Sequence, residues 1–478
     1  MAKSSAIAAS GVSADSPAQT TALVSPLQKK KPRFNPAANH GRTAANDYTG
    51  CPVIKIPHQE LHAGAACPGC REASMTGKLC QEEPSVIVQL TGSPLITGTR
   101  YEAERLRCSL CKAYYVAKLP AEVANRGKYD ERCRTNVAIA RYYAGQPFYR
   151  TQQLQALQGI PLADATQWDL VWQLYQLVSP VYGVLERLAA NAPLIHYDDT
   201  GNRILEAYRS KDKKVHTTAF ISQLDEHAIY LFYTRLHHAG ENAQLLLTER
   251  TTDEPLMTMT DASSQNMPNE MSENLIARWI VCFCLVHGRR KFYELHRFFG
   301  PECQCVLDII SEVYRHEGHC KKHSLTALER LRYHQTHSAP LMQSLRVWLN
   351  NQLLHRQVEP HSAMGQAISY MLRHWHALTR FLQVAGAPID NSLCEQAIKV
   401  AIRHRRNSLF YKTYQGARVG DGMMSLIHTA AKNKVNIFDY LNTLQRYADA
   451  VKTQPAQWLP WNYQSTLATM REDTPRAA

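Results

Sequence analysis

Three acids spaced far apart along the chain have the types and local settings that divalent-metal chemistry on phosphodiesters requires. Asp198 lies in the run Leu194-Ile195-His196-Tyr197-Asp198-Asp199-Thr200, and Asp261 ends Leu256-Met257-Thr258-Met259-Thr260-Asp261. Glu395 falls in a helical stretch that starts near Asn391. Hydrolysis or transfer of a phosphodiester uses two divalent cations about 4 Å apart, one beside the attacking oxygen and one beside the leaving oxygen. Hard cations such as Mg2+ or Mn2+ take oxygen ligands, so carboxylates from separate segments must converge. A ribonuclease H-like sheet achieves this with one Asp on its first strand, a second at the end of a later strand and a third acid on a helix. Strand side chains alternate, so Asp198 and Asp199 point to opposite faces and only one reaches the metals; spacing alone leaves that choice open. Ser392-Leu393-Cys394-Glu395 also reads as an S-x-x-E capping box, in which Glu395 would merely accept a backbone N–H.

Cysteine supplies a second kind of site. Cys67-Pro68-Gly69-Cys70 and Cys108-Ser109-Leu110-Cys111 are two C-x-x-C knuckles, the pairing that sets four thiolates around structural Zn2+. His316, His319, Cys320 and His323 step along one helical face, which suits a further metal or a solvated histidine stripe. Cations flank the acids. Arg289, Arg290 and Lys291 follow an apolar strand, while Glu395, Lys399 and Arg403 step by four along one face, so these groups can hold DNA phosphates or be simply solvated.

These residues need a scaffold, and the chain reads as multidomain α+β. Its 478 residues suggest about three folding units. Residues 1–47 read as a disordered basic tail with Lys29-Lys30-Lys31-Pro32-Arg33, and 48–125 as the zinc-binding module. Residues 126–190 read as a helical, helix-turn-helix-like region: Tyr149 and Arg150 open one helix, Gly159-Ile160-Pro161 breaks it, and a second follows from about 166. Arg150 is its candidate DNA contact. Strand signals at 194–198, 215–221, 228–233 and 256–261 mark the first part of a mixed α/β catalytic core over 191–298. A helical insertion at 299–387 precedes the Glu395-bearing part at 388–435, and 436–478 reads as a final helix with a polar tail.

Composition narrows the partners. The chain has 54 Lys+Arg against 41 Asp+Glu, a net charge of +13 that favours a polyanion such as nucleic acid. Its longest apolar run, at 279–286, is too short to span a bilayer and no signal peptide is evident, so a cytoplasmic protein, at the nucleoid when bound to DNA, is expected. In that compartment the 13 cysteines are expected to be thiols or metal ligands.

Several blocks resemble the insertion sequence 66 transposase family. Ile389-Asp390-Asn391-Ser392-Leu393-Cys394-Glu395-Gln396-Ala397-Ile398 is similar to its I-D-N-x-x-x-E-R-A-(I/L) signature, and Arg405-Arg406-Asn407-Ser408-Leu409-Phe410 to its R-K-N-x-L-F. His196-Tyr197-Asp198-Asp199-Thr200 resembles H-x-D-(D/E)-T, and Cys284-Leu285-Val286-His287-Gly288-Arg289-Arg290-Lys291-Phe292 resembles C-x-x-H-x-R-R-K-F. Glu359 to Ile368 and Ser425-Leu426-Ile427-His428-Thr429 look like further blocks, so the likeness runs from about 45 to 447. Gln396 stands where the signature has Arg. The resemblance implies a DDE transposase with a ribonuclease H-like core, with Asp198 rather than Asp199 as first acid and Asp198, Asp261 and Glu395 as Mg2+ or Mn2+ ligands. It also implies double-stranded DNA as partner, both element ends and target, with self-association on DNA and accessory proteins of the same element. Two rivals are a catalytically inactive zinc and helix-turn-helix DNA-binding protein and a ribonuclease H-like nuclease without strand transfer.

Overall fold

β-Branched and aromatic residues recur between 194 and 283, and there the chain builds a five-stranded mixed sheet. The computed structural model describes residues 53, 55, 60–67, 76–81, 92–107, 109, 111, 114–125, 127–209 and 214–472. The strands are β1 (Leu194–Asn202), β2 (Val215–Leu224), β3 (His227–Arg235), β4 (Leu256–Thr260) and β5 (Trp279–Phe283). Their order is β3-β2-β1-β4-β5. The first three pair antiparallel, and β4 and β5 run parallel to β1. Both faces are covered, so β2 and β3 read as nearly continuous buried runs, with Phe220, Ile221, Leu231 and Phe232 fully enclosed.

The sequence-predicted helical pair becomes α1 (Phe148–Leu157) and α2 (Asp164–Asn191). The second, expected over 166–185, runs a few residues further at each end, because its apolar stripe continues past residue 185; it buries Leu170, Val171, Leu174, Val178, Val181, Leu185 and Ala189. α2 packs on the sheet through β2 and on the later helix α7, so it is a core helix over most of its length. Next come α3 (Ala239–Leu247), α4 (Leu285–Leu295), α5 (Ala363–Arg373), α6 (Ser392–Ser408) and α7 (Tyr414–Lys432). The insertion between α4 and α6 is helical as expected, with helices at Gly300–Lys322, Ala327–His337 and Ala339–Leu354 ahead of α5. It forms its own apolar core, in which Val306, Ile310, Leu345, Leu349, Ile368 and Met371 pack with Leu285 and Phe292 of α4.

α7 closes the exposed edge of β3 by side-chain hydrogen bonding. Thr429 Oγ accepts from Tyr230 N at 3.0 Å and donates to Tyr230 O at 3.1 Å, and Ser425 Oγ accepts from Phe232 N at 3.0 Å. Asp421 accepts from Thr234 N at 2.6 Å and Oγ at 2.7 Å, while the Asn433 amide, just after the helix, bonds both N and O of Ala228. Four helical residues rise about 6 Å and two strand residues about 6.7 Å, so a residue every fourth on α7 meets one every second on β3. An edge strand that would otherwise offer unpaired N–H and C=O groups is thereby satisfied. Gly422 permits the close approach on the other side of the helix, since a Cβ there would lie 2.4 Å from the Tyr175 ring of α2.

Residues 93–478 form one compact unit and 1–92 another. In the first 92 residues a short antiparallel pairing joins Ala66 to Lys78, and Cys67 N donates to Gly77 O at 2.9 Å. Cys70 and Cys108 lie outside the described residues, as does the segment 1–47. At the far end the expected polar tail is packed instead: helices run to Glu472, with Val451, Trp458, Leu459 and Tyr463 buried against the main core. No helix among the described residues is long and apolar enough to cross a membrane.

The edge closure makes a direct prediction. Thr429→Val keeps the shape but strands a buried N–H and a buried C=O, at about 1–3 kcal/mol for each group left unsatisfied. It should lower the thermal midpoint and raise amide exchange at Tyr230, whereas Thr429→Ser should leave both near wild type. Unchanged exchange in Thr429→Val would contradict the edge closure.

Candidate active site

The three acids approach one another where β4 ends beside the middle of β1 and α6 begins. β1 pairs with β4 only as far as His196 opposite Met259, so Asp198 and Asp261 extend beyond the shared ladder at its open end. α6 packs across β1 and β2, which brings its first turn, and with it Glu395, to that end. Asp198 registers the convergence: its carboxyl is pushed up to about 7, first by burial and next by the charge of Asp261, with Glu395 and Asp199 contributing less.

Each acid is held by neighbours. The Asp198 carboxylate accepts from Asp199 N at 2.9 Å. Asp261 Oδ1 accepts from Ser263 N at 3.1 Å and from the Asn266 side-chain amide, and Asn266 O in turn accepts the Tyr197 hydroxyl at 2.9 Å. The loop after β4 is thus tied back to β1. Asp199 points away from this cluster, as strand alternation requires. Its Oδ2 accepts from Ala239 N and lies 3.1 Å from His238 Nδ1.

Glu395 does not close a capping box. Ser392 N donates to Asp390 Oδ1 at 3.0 Å, and Glu395 Oε1 lies 4.0 Å from His287 Nε2. The residue preceding α6, Asn391, places no side-chain bond on the helix either. Its amide is fully buried: Oδ1 meets His196 Nδ1 at 3.1 Å, Nδ2 donates to Tyr197 O at 3.1 Å, and its backbone N donates to Cys284 Sγ at 3.3 Å. Burial pushes His196 down to about 4, so near neutral pH its ring is uncharged, with Nδ1–H donating to Asn391. Burial likewise pushes the Cys284 thiol up to about 11, which keeps it protonated.

Three residues that sequence reasoning did not single out stand around the acids: Asn266, Tyr370 and, in its clamping role, Asn391. Tyr370 comes from α5 of the insertion, and its hydroxyl is pushed up to about 12 by burial and then by the charge of Asp261. The signal was weak, since Tyr370 lies two residues past the quoted block and reaches Asp261 only through long-range packing. Cys284, His287 and Glu395 also offer ligand atoms within 4.8 Å of one another, and His287 Nδ1 is buried without a protein partner.

The candidate DNA-binding cations divide. Arg290, Lys291 and Lys399 are exposed, with the Lys291 ammonium 4.4 Å from the Tyr370 ring centre. The half-buried Arg289 stacks its guanidinium over Tyr293, and Arg150 bonds Tyr149 Oη at 3.0 Å. Arg403 donates to Tyr143 O at 2.9 Å and so fastens α6 to the turn ahead of α1. The histidine stripe does not assemble as a ligand set among the described residues: Cys320 is buried, while His319 stacks on Tyr333 at 4.7 Å and lies 4.3 Å from the His323 ring. Of the four knuckle cysteines only Cys67 and Cys111 are described, so the zinc site itself lies outside the described residues.

Comparison with known proteins fits this arrangement. Two Sinorhizobium fredii proteins are similar to the chain, both named only as uncharacterized. Protein y4jD is 25% identical over 86% of this chain and 80% of its own length, and y4hP 24% identical over 76% and 68%. The model of the Transposase IS66 family matches residues 126–419, which is more than half of the chain and includes all three acids and the elements that carry them. With its signature blocks on those elements, the chain belongs to the Transposase IS66 family.

Proposed function

We propose that the protein is a DNA transposase that binds the inverted repeats at the ends of its element, cleaves them, and joins the resulting 3′-hydroxyl to target DNA. The observation that carries this reading is that carboxylates from three distant segments lie close enough for the charges of Asp261 and Glu395 to act on the buried Asp198. Their order is that of a ribonuclease H-like core: first strand, end of a later strand, helix. Like charges gathered in a partly buried place fit divalent cations, because a cation offsets the burial and then the repulsion that raise the proton affinity of Asp198. Asp198, Asp261 and Glu395 would hold Mg2+ or Mn2+. When bound, such ions polarise the attacking and leaving oxygens of a phosphodiester exchange.

The other residues prepare that pocket. Asn391 fixes the start of α6 on β1, Asn266 orients Asp261, and His287 stands beside Glu395. Arg289, Arg290, Lys291 and Lys399 would grip phosphates, which positions DNA without reading its sequence. Arg150, the exposed first turn of α2 and the cysteine knuckles would contribute to end recognition. Gln396 in place of Arg removes one such contact and leaves the acid on its helix.

Asp198→Asn, Asp261→Asn and Glu395→Gln should each abolish cleavage and joining in an assay with purified protein, end DNA, target DNA and Mg2+, while end binding persists. Joined products from any of them would sink the assignment. Cleavage by wild type without joining would favour a nuclease, and binding alone a regulator.

A second prediction concerns pH. Asp198 is protonated in the metal-free protein below about 7, and a cation must displace that proton. Mn2+ affinity measured by calorimetry should therefore fall with pH by up to about tenfold per unit below 7. The sign is opposite for the metal-free fold. A carboxyl whose affinity for protons is raised on folding takes up a proton, so stability declines as pH rises from about 4 to 7. Affinity for Mn2+ that stays flat from pH 5 to 8 would contradict the role given to Asp198.

Asn391→Ala should lower cleavage by about 10- to 100-fold, the range for groups that orient ligands, without loss of end binding. Wild-type rates in this variant would show that the clamp is dispensable.

A further inference from the structure

On the face of the sheet away from the acid cluster, two histidines and one aspartate meet in a pattern that hydrogen bonding alone does not account for. Asp199 comes from β1, His216 from β2, and His238 from the residue just before α3. Asp199 Oδ2 lies 3.1 Å from His238 Nδ1, and Oδ1 lies 3.6 Å from His216 Nδ1. The second separation is too long for a hydrogen bond. Both ring nitrogens of His216 are buried and lack a hydrogen-bond partner, although 12% of its side chain and 18% of that of Asp199 remain exposed. The two imidazole centres are 3.9 Å apart, an arrangement that two imidazolium cations would oppose.

We propose that Asp199, His216 and His238 bind one divalent transition-metal ion, most simply zinc. The three residues offer ligand atoms that all lie within 4.8 Å of one another. Around tetrahedral zinc, with bonds of about 2.0–2.1 Å, neighbouring ligand atoms sit about 3.3 Å apart, of the same order as the 3.1 Å from Asp199 Oδ2 to His238 Nδ1 and the 3.6 Å from the other oxygen, Oδ1, to His216 Nδ1. Two imidazoles and one carboxylate form the ligand class that favours zinc and its neighbours over Mg2+, and leave a fourth position for water. Ala239 N donates to Asp199 Oδ2 at 3.1 Å, a backbone contact that orients the carboxylate as outer partners of metal ligands do. Bound metal would join β1, β2 and the start of α3 immediately behind Asp198. This site is separate from the acid cluster and from the cysteine knuckles, and does not depend on the proposed reaction.

The test is metal content and spectrum of the full chain. Wild type and the variants His238→Ala and Asp199→Asn are stripped with chelator, equilibrated with zinc, desalted and analysed for bound metal. His238 is the milder change because its side chain is about one third exposed. Each variant should lose one equivalent of zinc per chain relative to wild type. With cobalt, wild type should show a visible ligand-field band, part of which persists when Cys67 and Cys111 are replaced by Ser and disappears when His238→Ala is added to that Cys→Ser protein. Equal zinc in wild type and in both folded variants would overturn the proposal. If the variants fail to fold by circular dichroism, the cobalt spectrum of the Cys67→Ser, Cys111→Ser protein decides: a band from nitrogen and oxygen ligands that competing Mg2+ does not displace supports the site, and its absence overturns it.

Discussion

Burying like charges beside one another is unfavourable, and the architecture around Asp198 holds them there. The chief agent is the Asn391 amide. It is fully buried, and its three polar groups bond His196, Tyr197 and Cys284, so one residue ties the start of α6 to β1 and to the end of the parallel strands. An amide without a partner in such a place would cost a few kcal/mol, so the contacts are made together or not at all. Because the side chain is committed to that clamp, it cannot cap α6. Asp390 supplies the missing bond to Ser392, and Glu395 is left to face the acids.

The helical insertion and the sheet contribute differently to the pocket. The sheet holds Asp198 and Asp261 at the end of adjacent parallel strands, and the polar ladder from α7 keeps its far edge from pairing elsewhere. The insertion builds a core of its own around α4 and delivers Tyr370 beside Asp261. Asp421 in the ladder is buried, and burial pushes its carboxyl up to about 7 against the hydrogen bonds from Thr234. The buried acid there pairs with an edge strand that no further strand among the described residues covers.

Much of this was legible in the residues. Runs of β-branched and aromatic residues located β1 to β4 to within a few residues, the acids were read in chain order, and the helix at Glu395 began where its pattern did. What failed to show was long-range. The S-x-x-E at 392–395 has the local form of a capping box, and only the engagement of Asn391 and Asp390 explains why it is not one. The glycine turn at 159 separated two helices and the second was expected to reach about 185, yet nothing local indicated that it would pack as a core element over most of its run to Asn191. Ser425 and Thr429 carry no mark of facing a strand edge, since that depends on where β3 lies. Tyr370 likewise meets Asp261 only because a separate core folds over it.

The most direct test of the central claim is anomalous scattering from crystals of the wild-type protein soaked in Mn2+. The account predicts two peaks about 4 Å apart, bounded by the carboxylates of Asp198, Asp261 and Glu395. Mn2+ bound elsewhere with none among these three acids would contradict it.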